Sequence, residues 1–190
     1  MNRASRRAVF LDRDGVLNAL VIRDGSAGSP RRREDFRVIA GADEAVRRLR
    51  ERRLLVFVVT NQPDVARGHL PPAELDAMSA ILASRVPVDE IAVCPHDDAD
   101  ECNCRKPKPG LLQRLAERWQ VDLPRSFVVG DSWRDVEAGR RAGCRTILLG
   151  VGTQGDAVPD FTVATLGEAA ATIDRELQVM DERGVDGLRS

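Results

Sequence analysis

The sequence predicts an α/β protein, a Rossmann-like parallel sheet flanked by helices, and three observations lead there. Brief apolar runs alternate with longer amphipathic stretches from end to end, as strands alternate with crossover helices. The runs themselves are rich in β-branched and aromatic residues. Four of them close on a polar group, at Asp12, Thr60, Cys94 and Asp131, and in an open α/β sheet the carboxyl ends of the strands are where ligands bind.

In chain order, AVFL at 8–11 is the first strand, and FLDRDGVLN then sets Asp12 and Asp14 two apart at its end. Segment 19–41 is Gly/Ser/Arg-rich and far longer than the usual connection of about 2 to 6 residues, so it is expected to overhang the crevice. A helix is predicted over 42–52, and LLVFVV at 54–59 runs into Thr60 and Asn61. A helix at 72–86 precedes the strand EIAVC at 90–94. Lys106 stands before a proline on extended backbone, ahead of a helix at 109–119 that Pro109 can open. SFVVG at 126–130 leads into GDSWRD, then a helix at 132–142, the strand TILLG at 146–150 and a weaker one at 161–164. A last helix spans about 166–182, and the tail at about 183–190 is expected to fray. Without repeats or low-complexity tracts, residues 1–190 are expected to form a single domain.

Composition narrows the class of function. With 43% hydrophobic and 31% charged residues the chain is ordinary globular protein, and a net charge of −1 provides no field for drawing in nucleic acid or anionic membrane. No apolar run reaches the ~20 residues of a membrane span, and MNRASRRAVFLDRDG meets charge before a signal-peptide core develops. A cytoplasmic protein, most simply a monomer, with no nucleic-acid or membrane partner is the expectation.

The chemistry lies in the polar strand ends. Asp12 and Asp14 repel one another unless a divalent cation offsets their charge, and hard oxygen ligands in twos and threes suit Mg²⁺. Asp131 adds a third carboxylate from another strand end. The Thr60 hydroxyl and the following backbone N–H can hold an anionic oxygen, although alone Thr60 would serve as a helix N-cap. Together with Lys106 these groups form a set suited to holding a phosphoryl group during in-line displacement.

DRDGVLN, VVTNQ, RKPKPG and VVGDSWRD, in that order, resemble the haloacid dehalogenase (HAD) superfamily of phosphohydrolases. The resemblance implies a HAD-like fold without a large cap domain and a catalytic pair, Asp12 as nucleophile and Asp14 as the acid that protonates the leaving alkoxide and then activates water. It implies substrate contacts from Thr60, Asn61, Arg105 and Lys106. Mg²⁺ would be held by Asp12, the backbone carbonyl of Asp14 and Asp131, with Asp135 standing behind them. A free aspartate has a pKa near ~3.9, so an acid at position 14 requires a side chain lying off the metal.

CPHDDADECNC places Cys94, His96, Cys102 and Cys104 in a C-x-H-x5-C-x-C pattern. Four soft or borderline ligands with no position left for water suit a structural zinc in a tetrahedral site, here a small loop insertion at about 94–104. Cys104 lies two residues before Lys106, so the zinc would steady the loop that carries Arg105 and Lys106. CPH…CxCRKP narrows the resemblance to a branch with heptose 1,7-bisphosphate and histidinol-phosphate phosphatases. That branch implies a Mg²⁺-dependent phosphomonoesterase for a small phosphorylated sugar or polyol, selected by loops at about 19–35, 61–70 and 94–108. The heptose type is the first expectation and histidinol phosphate the alternative. Pro63-Asp64 then brings an acidic side chain near an anionic substrate.

A phospho-accepting regulatory module would place its aspartate after a middle strand and needs no second acid. A polynucleotide 3'-phosphatase would want stacking aromatics, which total only 4%. Arg67 could reach a distal group or form a surface ion pair, His69 reads as a loop residue, Cys144 as a core residue, and Trp133 as a crevice wall or part of the helix start.

Overall fold

The structure is a computed structural model that describes residues 6–150 and 157–186. β1 (Ala8–Leu11) is buried on both faces because its alternating side chains enter two cores. Val9 and Leu11 join one cluster, and Ala8 and Phe10 join the other. Next come β2 (Val21–Arg23) and β3 (Ser26–Gly28), an antiparallel pair turning on Asp24-Gly25. Both turn residues have positive φ, 50° and 76°, which an Asp-Gly pair accommodates in a two-residue hairpin. The segment expected only to overhang the crevice is therefore partly ordered as a hairpin.

The remaining elements are α1 (Ala42–Glu51), β4 (Leu55–Asn61), α2 (Pro72–Arg85), β5 (Glu90–Cys94), α3 (Gly110–Trp119), β6 (Phe127–Gly130), α4 (Trp133–Ala142), β7 (Arg145–Leu149), β8 (Phe161–Val163) and α5 (Leu166–Asp186). The sheet order is β5-β4-β1-β6-β7-β8, with every pairing parallel. α1, α2 and α5 cover one face, while α3 and α4 cover the other around Phe10 and Phe57, whose ring centroids lie 5.4 Å apart. The chain builds outward from β1 to β5, then crosses back to β6 on the other side of β1. That reversal opens a crevice beyond the ends of β1 and β6, and Asp12 and Asp131 are the first residues past those ends.

Boundaries differ from expectation by a residue or two, and by four at the end of α5. β4 continues through Asn61, so Thr60 and Asn61 lie inside the strand rather than after it. α5 reaches Asp186, four residues beyond the expected end; residues 187–190 of the expected frayed tail lie outside the described residues. Among the described residues no helix is long and apolar enough to cross a membrane.

Candidate active site

Asp12, Asp131 and Asp135 each offer a carboxylate oxygen, all within 4.8 Å of one another. The Asp12 N–H donates to the Val129 carbonyl at 2.9 Å, tying β1's exit to β6. Two glycines permit this closeness. A Cβ on Gly15, whose φ is +80°, would sit 1.9 Å from Asp131 Oδ2, and one on Gly130 would sit 2.2 Å from Asp135 Cβ. Asp135 enters as the third residue of α4, where its Oδ2 accepts from the Ser132 N–H at 3.2 Å in a capping box.

Lys106 is buried among these acids. Its ammonium donates to the Val59 carbonyl at 2.8 Å and to Asp135 Oδ1 at 2.5 Å, and lies 2.9 Å from Asp12 Oδ1. Its backbone is clamped by Asn61, which accepts from the Lys106 N–H at 3.1 Å and donates to the Lys106 carbonyl at 3.0 Å.

One ammonium does not balance three carboxylates, one of them buried and two partly buried. Burial pushes Asp12 up to about 7, with Asp135 and Asp14 adding to the rise and Lys106 opposing it. Burial, then Asp12, pushes Asp131 up to about 6. Asp135 is raised by burial despite Lys106. Burial alone would lower Lys106, but Asp12 and Asp135 outweigh it and hold the ammonium charged. Hard oxygen donors with uncompensated negative charge are what a small divalent cation takes, so the residues present fit Mg²⁺.

Asp14 faces elsewhere. Its Oδ1 accepts from Asn18 Nδ2 at 2.8 Å, its Oδ2 from Gln62 Nε2 at 2.7 Å, and the Arg13 guanidinium donates to both oxygens at 3.0 to 3.3 Å. Arg13 is 0% exposed and lies over the Phe36 ring at 5.6 Å. The repulsion between the paired aspartates is thus offset on one side by Arg13, a partner the sequence reading passed over. Arg13, Asn18 and Gln62 were all missed. Their signals were the arginine between the two acids and the strand period, which puts Thr60 and Gln62 on one face and Asn61 on the other. Gln62 Nε2 also donates to Thr60 Oγ1 at 2.9 Å.

At the end of β5, Cys94, His96, Cys102 and Cys104 converge as their spacing predicts. Sulfur–sulfur separations are 3.2 to 3.7 Å, and His96 Nδ1 lies 3.2 Å from Cys104 and 3.7 Å from Cys94. A tetrahedral ion with ~2.3 Å metal–sulfur bonds spaces its sulfurs by roughly 3.8 Å, so this cluster could hold one after slight expansion. Burial raises the Cys94 thiol to about 12, a proton that any bound cation must displace. Arg105 donates to Asp98 at 2.7 Å and to the His96 carbonyl at 3.4 Å, so its guanidinium braces this loop.

The other candidate residues are mostly engaged. Asp64 is paired with Arg31 at 2.6 Å, which outweighs the effect of its burial and holds its carboxyl below the usual range; the negative charge expected near the substrate is thereby offset. Arg67 pairs with Asp97 at 2.6 Å, and His69 Nδ1 lies 3.2 Å from Arg31. Cys144 is buried in the core, and Trp133 lies under the Arg134 guanidinium at 4.8 Å.

A family model described as HAD-hydrolase-like matches residues 103–169. The D-glycero-beta-D-manno-heptose-1,7-bisphosphate 7-phosphatase of Pseudomonas aeruginosa is 39% identical over 168 residues, covering 84% of this chain and 92% of that protein. Its namesake from Pseudomonas putida is 37% identical over 180 residues, covering 90% and 99%. The crystal structure of D,D-heptose 1,7-bisphosphate phosphatase from B. bronchiseptica, complexed with magnesium and phosphate, is similar with a TM-score of 0.77 at 33% identity, covering 90% of this chain and 99% of that one.

Proposed function

This chain belongs to the HAD superfamily of phosphatases, and we propose that it is a single-domain, capless member that removes the 7-phosphate of a heptose 1,7-bisphosphate. The carrying observation is the convergence of Asp12, Asp131, Asp135 and Lys106 at the reversal point of the sheet. The enzyme is a magnesium-dependent phosphomonoesterase. Asp12, the Asp14 carbonyl and Asp131 would hold Mg²⁺, which, when bound, supplies positive charge against the phosphoryl oxygens.

The chain's own groups then divide the work. An Asp12 carboxylate oxygen attacks phosphorus, and the bond from phosphorus to the sugar oxygen breaks. Asp14 donates its proton to that departing oxygen, leaving an aspartyl phosphate on residue 12. Asp14 next takes a proton from water, whose oxygen attacks phosphorus and releases inorganic phosphate and the Asp12 carboxylate. Thr60 and Lys106 would steady the phosphoryl oxygens; the Thr60 hydroxyl accepts from Gln62, which leaves its hydrogen free to donate. Asn61 would act on substrate through Lys106, and Arg105 from the adjoining loop.

Cys94, His96, Cys102 and Cys104 would hold a structural Zn²⁺, a reading supported by four converging soft or borderline ligands. A steady-state kcat/KM panel of both heptose bisphosphate anomers, histidinol phosphate and common sugar phosphates tests the substrate. A preference of about tenfold or more for a heptose bisphosphate, about 1.4 kcal/mol in transition-state binding, is expected. An equal preference for histidinol phosphate would overturn the assignment.

A further inference from the structure

For an acid to serve an alkoxide its carboxyl must be aimed, and Asp14 is aimed by residues outside the reacting set. Four donor groups from three side chains converge on it, and Arg13, Asn18 and Gln62 are 0%, 0% and 1% exposed. Arg13 and Asn18 come from the same loop as Asp14, so their bonds are local. Gln62 does not: it arrives from the far side of the β1–β4 pairing, 48 residues along the chain. Its backbone N–H is fixed to the Cys94 carbonyl at 2.7 Å, so the side chain reaches Asp14 from a rigid strand end.

Gln62 is also incompletely satisfied. Nε2 donates to Asp14 Oδ2 and Thr60 Oγ1, yet Oε1 is buried without a partner. A buried orphan acceptor costs on the order of 1–3 kcal/mol, and a core position with no task would be filled at lower cost by an apolar side chain. The same amide touches the side chain expected to hold phosphoryl oxygen and the one expected to deliver the proton. It therefore links the two through a single nitrogen.

We propose that Gln62 is a positioning residue for proton transfer, bridging Asp14 and Thr60 so that the Asp14 carboxyl is held toward the leaving oxygen and away from the Asp12/Asp131/Asp135 cluster. This rests on the reading of Asp14 as the acid. The amide also suits both halves of the cycle. With Nε2 toward Asp14 the amide supports the carboxylate; turned over, Oε1 would accept from the protonated form.

The test separates aiming a proton from merely supporting the fold, because leaving groups differ in their need for an acid. An alkyl phosphate requires protonation of its departing oxygen, whereas p-nitrophenolate departs without it. kcat/KM reports the step that forms the aspartyl phosphate, so it is measured for both esters in the intact enzyme with Mg²⁺. Gln62→Met, which keeps length and removes both amide groups, is expected to lose about thirtyfold or more on the alkyl ester and about threefold or less on the aryl ester, a fraction of the 10²–10⁴ that general acid catalysis supplies. Gln62→Asn retains an amide but pulls it back by one methylene; it should show the same split and covers the case in which the Met variant does not fold. Equal losses on the two esters in a folded variant, or no loss on either, would overturn the proposal. Asp14→Asn is the control for the underlying reading. If it too loses both esters equally, the assignment of Asp14 fails; if it shows the split while the Gln62 variants do not, only the role of Gln62 fails.

Discussion

The aspartate crevice and the cysteine–histidine loop each collect four metal-friendly or charged side chains, and they are assembled in opposite ways. Asp12, Lys106 and the Asp131/Asp135 pair come from three separate segments and meet because β1 and β6 are neighbours and the 106 loop folds over them. Cys94, His96, Cys102 and Cys104 come from a single stretch of eleven residues that begins at the last residue of β5. In the crevice the scaffold is the sheet itself, buried on both faces, so the side chains stay in place whatever their charge. In the loop, Asp97, Asp98, Asp100 and Glu101 contribute little apolar burial, and polar contacts such as those of Arg105 with Asp98 and Arg67 with Asp97 support the four converging side chains. Loss of an ion should therefore disable chemistry in the first region and disorder structure in the second.

The largest effect should come from Asp12→Asn. It removes the proposed nucleophile, and turnover should fall by about 10⁴-fold or more while thermal unfolding shows the fold retained. A stable variant with near-normal turnover would break the contrast at its root. Lys106→Met ranks next. It should cost about 10²–10³ in kcat/KM by removing a preorganised positive charge, and should destabilise by about 3–5 kcal/mol at neutral pH because Asp12 and Asp135 lose their buried partner.

Stripping the four-ligand loop with a chelator, followed by restoring Mg²⁺ alone, should lower kcat by about tenfold. Backbone amides of 95–108 should exchange faster while β1 and β6 stay protected, because loop and sheet open independently. Unchanged kinetics would uncouple the loop from Lys106.

The crevice also has a pH signature in the metal-free protein. Asp12 rises from 3.8 to about 7 and Asp131 from 3.8 to about 6, both chiefly by burial. The folded state then binds protons more tightly than the unfolded chain, so stability should fall as pH rises through the window from 3.8 to about 7. Mg²⁺ should accordingly raise the melting temperature more at pH 8 than at pH 5, which calorimetry with and without the ion can read. The smallest effect belongs to Arg31→Ala. Its pair with Asp64 is partly exposed, so stability should change by about 1 kcal/mol or less, and any larger change should appear in KM for the bisphosphate.

Much of this was legible from residue order. The strands from AVFL to TILLG announce themselves as short apolar runs because parallel strands are covered on both faces, and the C-x-H-x5-C-x-C spacing is a local geometric statement that no packing needs to supply. The Asp24-Gly25 hairpin was equally local and was passed over because the surrounding Gly/Ser/Arg composition reads as loop. Arg13 was obscured for a different reason. A charged side chain is ordinarily solvated, and only the enclosure by Asp14 and Phe36 turns it into a buried counter-charge.

The linear chain by itself determined which chemistries were available: acidic groups at strand exits, a lysine ahead of a helix, and four soft or borderline ligands in a row. Tertiary structure alone decided the pairings, with Lys106 on Asp12 and Asp135, Asn61 on the Lys106 backbone, and Gln62 joining Asp14 to Thr60. The reason is that these contacts depend on strand order and on desolvation. Both arise only when distant segments share one low-dielectric interior; local periodicity gives the face a residue occupies but not the partner it meets there.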